Sequence, residues 1–569
     1  MGMILRATSA VPYNKAFISK YDNLRVGTEN GDFAVLKNVD FGEGKRGFKA
    51  THSKVIDGVA LIELHLDKKD GDAIGVIACA SQDMGGNFYT VWCEIKKTEG
   101  FHDVYLVFRG ITSYSHFEFT DDSPYDHKDY TPVPASRYID SMADTWEATD
   151  MLGRKIPSPE ECKDRRSDKK VGIFYWTWHE GESADEPQNL AKILKDFPEA
   201  EWDINHHIWK EKICHWGEPL FGYYRNSDPY IIRKHAIMLA SAGVDFLVFD
   251  TTNCSGTKKE AYRPLLEGLY QAKMDGIKVP QITFIMNFWA KAYTEFMLRS
   301  IYQDIYKPGL YKDLWFMVDG KPLLIAHPEF LPENGASPED TKFLNEIREF
   351  FTFRPGQPGY TCGPNNNQEW GWLESAPQHK YCVRPDGSVE EMTVGVAQNG
   401  TAELQCTHFN AKGTFGRSYT HAHGHDLLTP DSYKYGYNFQ EQWDNALEID
   451  PDHIFVTGWN EWIMARFANK PWIREEGSTQ IAFIDQYDLE RSRDIEPDKD
   501  GYLDTYYLQL CANVRKFKGT AKLPAASAPK TIDFSEGEKQ WENVSPNYIN
   551  PKGSTPIRNY PGFGSVYYK

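Results

Sequence analysis

Between residues 20 and 120, apolar and polar positions alternate in short runs separated by glycine and aspartate. "DFAVLKNVDFG", "GFKATHSKV", "VALIELHLDKKDGDAIGVIACA" and "FHDVYLVFRG" each suit a strand with one buried face, so this stretch predicts an all-β sandwich. From Val171 the period changes. "VGIFYWTW" opens a series of short apolar runs that alternate with helical segments. The segment "SDPYIIRKHAIMLASAG" carries its own helix signals. Asp228 can cap the start, Pro229 suits the first turn and Gly243 suits the left-handed C-terminal position. Ile231, Ile232, His235, Met238, Leu239 and Ala242 fall on one face. After it come "VDFLVFD", "QITFIMNF", "KPLLIAH", "EFFTFRP", "MTVGVAQ", "HIFVTGW" and "TQIAFIDQ". Counted from Val171, these make eight strand candidates over roughly 345 residues, a usual size for a (β/α)8 barrel with large loops. The rival is a doubly wound open sheet, but no glycine-rich phosphate loop follows any strand.

The expected fold class is therefore α/β, a (β/α)8 barrel preceded by an all-β sandwich. A chain of 569 residues is too long for one core. The expected divisions are a sandwich over 1–125, a linker over 126–170, a catalytic barrel over 171–518, and a linker with a short C-terminal segment over 519–569. "GTAKLPAASAPK", Gly519 to Lys530, is small, proline-containing and featureless. Thr531 to Lys569 is too short for a sandwich of its own.

Composition narrows the partners. Aromatic residues reach 14%, with 16 Trp and 32 Tyr, which suits stacking on the flat apolar faces of sugar rings. A net charge of -18 argues against nucleic acid or an anionic membrane as the main partner. No run of 18 apolar residues predicts a membrane span. The nine cysteines are scattered and form no C-x-x-C pair, which argues against a disulfide scaffold or a cysteine zinc site. The opening "MGMILRATSAV" does not read as a signal peptide.

In such a barrel the C-terminal ends of the strands carry the chemistry. Read in order, those ends offer Trp176, Trp178, His179 and Glu180; Asp250 and Asn253; Asn287 and Trp289; His327 and Glu329; Arg354; Gln398 and Asn399; Trp459, Asn460, Glu461 and Trp462; and Asp485. Carboxylates for proton transfer, polar donors for hydroxyls and indoles for ring faces are what a sugar-cleaving cleft needs. Glu461 ends a buried strand between two tryptophans, and an unpaired buried carboxylate is costly. It reads as a catalytic carboxylate; a satisfied structural acid is the alternative. Asp250 ends "VDFLVFD" in the same way and could instead hold a neighbour. In "THAHGHD", His421, His423 and His425 alternate and read as substrate hydrogen-bonding or loop residues rather than zinc ligands, so no metal site is expected. Arg493, Asp494 and Glu496 in "SRDIEP" read as a structural ion-pair network. Trp202, Trp209, Trp216, Trp370 and Trp372 divide between stacking platforms and core.

Two resemblances sharpen these expectations. "GTENGDFAVLKNVDFGEG", "IELHLDKKDGDAIGVIA" and "GFHDVYLVFRG" resemble the core strands of carbohydrate-binding module family 6, which implies a glycan-binding β-sandwich, often with a structural calcium ion. "WENVSPNYINPKG" and "RNYPGFGSVYYK" look like the opening of a family 9 carbohydrate-binding domain. "HWGEPLFGYYRNSDPYIIRKHAIMLASAGVDFLVFDTTN", "FVTGWNEW" and "STQIAFIDQYDLERSRDIEP" resemble the family 71 and family 99-like glycoside hydrolases. Family 99 members are endo-acting α-mannosidases with two catalytic glutamates in an Asn-Glu-Trp-His-Glu run. Glu461 matches the first, and Met464 stands at the second. Glu475, Glu476 or Asp250 would then supply the second carboxylate. Together the resemblances imply a glycoside hydrolase acting on a polysaccharide or complex glycan, with no cofactor needed for catalysis, working outside the cell, in the periplasm or at the cell surface. The other reading is a non-catalytic glycan-binding protein with a degenerate barrel.

Overall fold

The computed structural model describes all residues except 1, 2, 22, 27–30, 54, 72, 80–87, 124–143, 180–186, 204, 211, 212, 253–256, 403–407, 469–480 and 546–569. The chain folds as two compact units. One comprises Met1–Pro132, Asp250–Tyr262 and Thr283–Gly356, and the other Val133–Phe249, Arg263–Ile282 and Gln357–Lys569. Each unit is thus assembled from non-contiguous stretches.

In the first unit, the alternating segments do form a sandwich of two sheets. One runs Val11–Tyr13, Asp32–Asp40, Phe101–Ile111, Ile56–Leu66, Ala73–Cys79. The other runs Phe17–Ile18, Leu24–Arg25, Ser113–Thr120, Lys45–His52, Tyr89–Thr98, with Met3–Arg6 also on Ser113–Thr120. Neighbours pair antiparallel, as in Leu106↔Leu64 and Phe48↔Phe119. Period-2 alternation turns Ala34, Leu36, Ile62, Leu64, Leu106 and Phe108 inward onto Phe48, Phe117 and Phe119. On the opposite face of the first sheet, the strands Ile56–Leu66 and Ala73–Cys79 are covered by the helices Lys291–Ile301 and Pro338–Phe350 of the same unit. Val76 and Ala78 there line a cavity of about 220 Å³ with Arg299, Gln303 and Phe343. Strands Lys321–Leu324 and Thr352–Phe353, expected from "KPLLIAH" and "EFFTFRP", also lie in this unit and pair parallel.

Beyond the sandwich the chain is mixed α/β. A six-stranded sheet has the order Gln281–Met286, Phe246–Thr251, Lys170–Tyr175, His453–Thr457, Val389–Gly395, Tyr381–Val383. Its centre is parallel, as in Gly172↔Phe246, Val171↔Ile454 and Thr393↔Phe455, and its last pair is antiparallel. Gly172 permits the close approach of two strands: a Cβ there would stand 2.3 Å from the Phe246 ring. The helix Pro229–Ala242 forms with the expected signals. The Asp228 side chain accepts from the Tyr230 N–H, and Gly243 takes φ 85°.

One strand expectation is corrected. Ile481–Ile484 is not a parallel strand of the main sheet. It pairs antiparallel with Ile463–Ala468, which pairs antiparallel with Ile213–His215 in a separate small sheet. A parallel return needs a crossover, usually a helix. The chain after Trp462 instead enters another strand directly, so the next apolar run folds back beside it. Among the described residues, no helix is long and apolar enough to cross a membrane.

Candidate functional site

The strand His453–Thr457 delivers the chain into the interior of the second unit. The Trp459 N–H donates to the Phe174 carbonyl at 2.9 Å, fixing the exit of one strand against the next. Asn460 then holds the end of the strand Lys170–Tyr175. Its Oδ1 accepts from the Trp176 N–H at 2.8 Å, and its Nδ2 donates to the Tyr224 hydroxyl at 3.3 Å. Trp462 stacks on Trp216, with ring centres 4.8 Å apart, and its Nε1 donates to Glu496 Oε2 at 2.6 Å. Glu496 also accepts from the Tyr224 hydroxyl at 2.6 Å, and its Oε1 lies 2.8 Å from His235 Nε2. His235 Nδ1 reaches the Tyr175 hydroxyl at 2.8 Å. All these groups are buried. A fully connected polar network of this kind rigidifies the frame around it.

Glu461 stands on that frame. Arg493 grips it with two charge-assisted bonds, Nε to Oε2 at 2.9 Å and one terminal nitrogen to Oε1 at 3.1 Å. The side chains are 1% exposed for Glu461 and 4% for Arg493, so both oxygens are turned onto the guanidinium rather than to open space. The backbone N–H of Glu461 donates to Asp494 Oδ1, and Asp494 Oδ2 accepts from Trp216 Nε1 at 2.8 Å. The Arg493 guanidinium lies 5.6 Å from the ring centre of Trp372 and 5.2 Å from that of Phe409. Burial works against its charge, but Glu461, Tyr360 and Asp485 outweigh that and hold it above its ordinary value. Its remaining terminal nitrogen, Nη1, is buried without a hydrogen-bond partner.

Aromatic residues continue from this pair. Phe174 lies 5.8 Å from Trp372 and 6.4 Å from Trp176, and Trp176 stacks on Trp178 at 4.8 Å. Trp372 and Trp178 are half-buried, whereas Trp176 is fully buried. His179 meets Asn226 Oδ1 through Nδ1 at 3.2 Å, and its buried Nε2 has no partner. Burial, then the neighbouring His215, pushes its pKa well below the usual value, so it is a neutral imidazole. Asp485 follows the strand Ile481–Ile484 with φ 74° and is half-buried.

The structure therefore gathers Glu461 with Trp176, Trp178, His179, Trp459, Asn460 and Trp462 in one unit. Within it Trp459, Asn460 and Trp462 are interior supports, fully buried. Asp250 belongs to the other unit, fully buried, its Oδ1 accepting from the Thr252 N–H at 3.0 Å and from the Thr252 hydroxyl at 2.8 Å. Trp289, also in that unit, is 64% exposed. His421, His423 and His425 lie on an exposed turn, where the His421 N–H donates to Glu441. Glu180, Asn253, Glu475 and Glu476 lie outside the described residues. Met464 points into the core, its sulfur 3.0 Å from Cys214 Sγ. Trp216 and Trp370 are core, and Trp202 is exposed. The partner that sequence reasoning missed is Arg493: "SRDIEP" signalled an ion-pair network, but nothing in it pointed to Glu461.

Among the described residues, no group of three or more His, Cys, Asp or Glu side chains is placed to hold a metal ion. Among the described residues of the sandwich, no such group is placed for the calcium expected there. The sandwich does present an aromatic stripe. Tyr13 stacks on Phe33 at 4.6 Å, and Tyr105 follows at 6.1 Å.

Comparison with known proteins bears on this sandwich. Residues 11–121 match the family model described as carbohydrate binding module (family 6). An endo-1,4-beta-xylanase A of Thermoclostridium stercorarium is 33% identical over 115 residues, which is 20% of this chain and 21% of that protein. The chain spans about a fifth of the length of this curated relative. Two solved structures are similar over 21% of this chain. One is a family 6 module from Clostridium cellulolyticum in complex with xylose, 29% identical, with 96% of it covered and a TM-score of 0.19. The other is a module from Clostridium stercorarium in complex with cellobiose, 23% identical, with 94% covered and a TM-score of 0.19. The N-terminal sandwich is thus a family 6 carbohydrate-binding domain.

Proposed function

We propose that the chain is a glycoside hydrolase that cleaves glycosidic bonds in a polysaccharide or complex glycan. On this reading the N-terminal domain holds the glycan. The parallel strands belong to a barrel of the family 71 and family 99-like kind, and the protein works outside the cytoplasm. The observation that carries the reading is Glu461, a carboxylate fixed by Arg493, with the half-buried indoles Trp178 and Trp372 in the same unit. In an oxocarbenium-like transition state such a carboxylate would face positive charge at the anomeric carbon, which requires Glu461 to turn from Arg493 toward the glycan. The buried Arg493 Nη1 suits a sugar hydroxyl, and the two indoles suit ring faces.

A second reading rests on a specific observation of its own. Met464 is a buried thioether packed on Cys214, and both Glu461 oxygens are engaged, which favours a glycan-binding protein without turnover. Incubation with xylan, cellulose oligosaccharides, β-1,3-glucan and α-mannan separates the two, and the xylanase relatives make xylan the first to try. The hydrolase reading expects new reducing ends on at least one of them. Retention of the glycans with no new reducing ends on any would establish the binding protein instead.

A further inference from the structure

The helices that roof the strand Ala73–Cys79 do not close down fully onto its small side chains. Val76 and Ala78 are instead part of the wall of the cavity of about 220 Å³, and Phe343 of the helix Pro338–Phe350 adds a further apolar surface. Buried ties hold the roof in place. Arg299 Nη2 donates to Glu295 Oε1 at 3.0 Å and to Asp340 Oδ2 at 3.1 Å, which joins the two helices. Gln303 Nε2 donates to the Trp92 carbonyl at 2.8 Å, which joins the roof to the strand Tyr89–Thr98. The cavity is therefore preformed.

Its open polar groups are mostly acceptors. Gln303 stands on a π-helical turn, Tyr302–Tyr306, that continues the helix Lys291–Ile301, and such turns recur at functional sites. It lines the cavity at 9% exposure, with Nε2 bonded and Oε1 left as an acceptor. Glu94, Glu339 and Lys342 also line the cavity and are exposed, so it opens to solvent there. Glu94 accepts from the Ser123 hydroxyl through Oε1 at 3.0 Å, which leaves Oε2. Among the described residues Glu339 makes no hydrogen bond or ion pair. An occupant must therefore bring donors.

We propose that this cavity binds one neutral sugar ring of a glycan. The proposal rests on the reading that the N-terminal domain holds the glycan, and not on hydrolysis. A cavity of about 150 Å³ takes one benzene ring, so 220 Å³ admits one pyranose with its hydroxyls. Those hydroxyls donate to Gln303 Oε1 and to the Glu94 and Glu339 carboxylates, while the C–H surface lies on Val76, Ala78 and Phe343. Glu94, Glu339, Asp340 and Glu346 outnumber Arg299, Lys307 and Lys342 around the space, which disfavours a uronate ring. The lining from Arg299 to Glu346 lies outside residues 11–121, so the family 6 domain does not form this site by itself.

Ala78→Cys in the full chain is the test, because it sets a thiol in the cavity wall with little change of bulk. Its alkylation by iodoacetamide is followed by mass spectrometry of the peptide that carries it. Methyl β-xyloside, methyl β-glucoside and glucuronate are each added at about 100 mM. A single ring held at about 10 mM should slow alkylation about tenfold with at least one of the two methyl glycosides, and glucuronate should slow it less than about twofold. Adding Gln303→Leu, which keeps the bulk and removes the acceptor, should abolish the protection. If Ala78→Cys does not fold, Glu339→Cys at the mouth of the cavity takes its place. Unslowed alkylation with both glycosides, equal protection by glucuronate, or protection that survives Gln303→Leu would overturn the site. Retention of a glycan of the panel without protection would remove this site and leave the glycan-holding reading standing, whereas neither retention nor protection would remove both.

Discussion

Glu461 and Arg493 illustrate how a buried pair differs from its separate members. Together they cancel charge in a site almost closed to water; either alone is an uncompensated buried ion. Glu461→Gln and Arg493→Met should each cost about 3–5 kcal/mol in urea unfolding, and the double variant clearly less than the sum. Additive losses would show that the two side chains do not act as a pair. Asp494, beside them, is pushed up to about 7 by burial, against the pull of Arg417, Trp216, the Glu461 N–H and Arg493. Its folded value lies above the ordinary 3.8, so the folded state holds the extra proton between the two. That contribution to stability is complete below about pH 4 and lost as pH rises through about 7. Wild-type unfolding free energy should therefore decline relative to Asp494→Asn across that window, and parallel curves would refute it. Sequence made Glu461 legible, because a carboxylate at a buried strand end is anomalous. Its partner lies 32 residues on, and spacing carries no record of such a pairing. Nor does composition separate an indole that packs the interior, such as Trp459 or Trp462, from one that can face a sugar, such as Trp178.

Elements were more legible than contacts. The Pro229–Ala242 helix carried its cap, its first-turn proline and its terminal glycine in plain view. The run Ile481–Ile484 did not, because four apolar residues look alike in a parallel and an antiparallel ladder. What decided it was the intervening strand Ile463–Ala468, whose "IMARFA" shows no clean alternation. Packing between strands sets the remaining constraint. Gly172→Ala would place a methyl group 2.3 Å from carbons of the buried Phe246 ring. Overpacking of this sort costs about 1–3 kcal/mol. Thermal unfolding should show a lowered midpoint for Gly172→Ala, recovered in part by adding Phe246→Leu. An unchanged midpoint would mean that the two strands can move apart freely.

At the scale of the molecule, the period change at Val171 correctly separated an all-β region from mixed α/β architecture. The chain path through the two units was not readable, since the residues that join the sandwich unit from 250–262 and 283–356 have the ordinary pattern of strands and helices. That path matters for the sandwich. Carbohydrate-binding domains are easily imagined as beads that can be unthreaded from one protein and strung on another. Here one half of a sheet face is roofed by the helices Lys291–Ile301 and Pro338–Phe350, while Tyr13, Phe33 and Tyr105 line the strands of the other half. Excised at its sequence boundary, this domain would lose its roof and bare Val76 and Ala78 to water. It is a bead that has been welded in place, and grafting it elsewhere would require redesigning the surface it leaves behind.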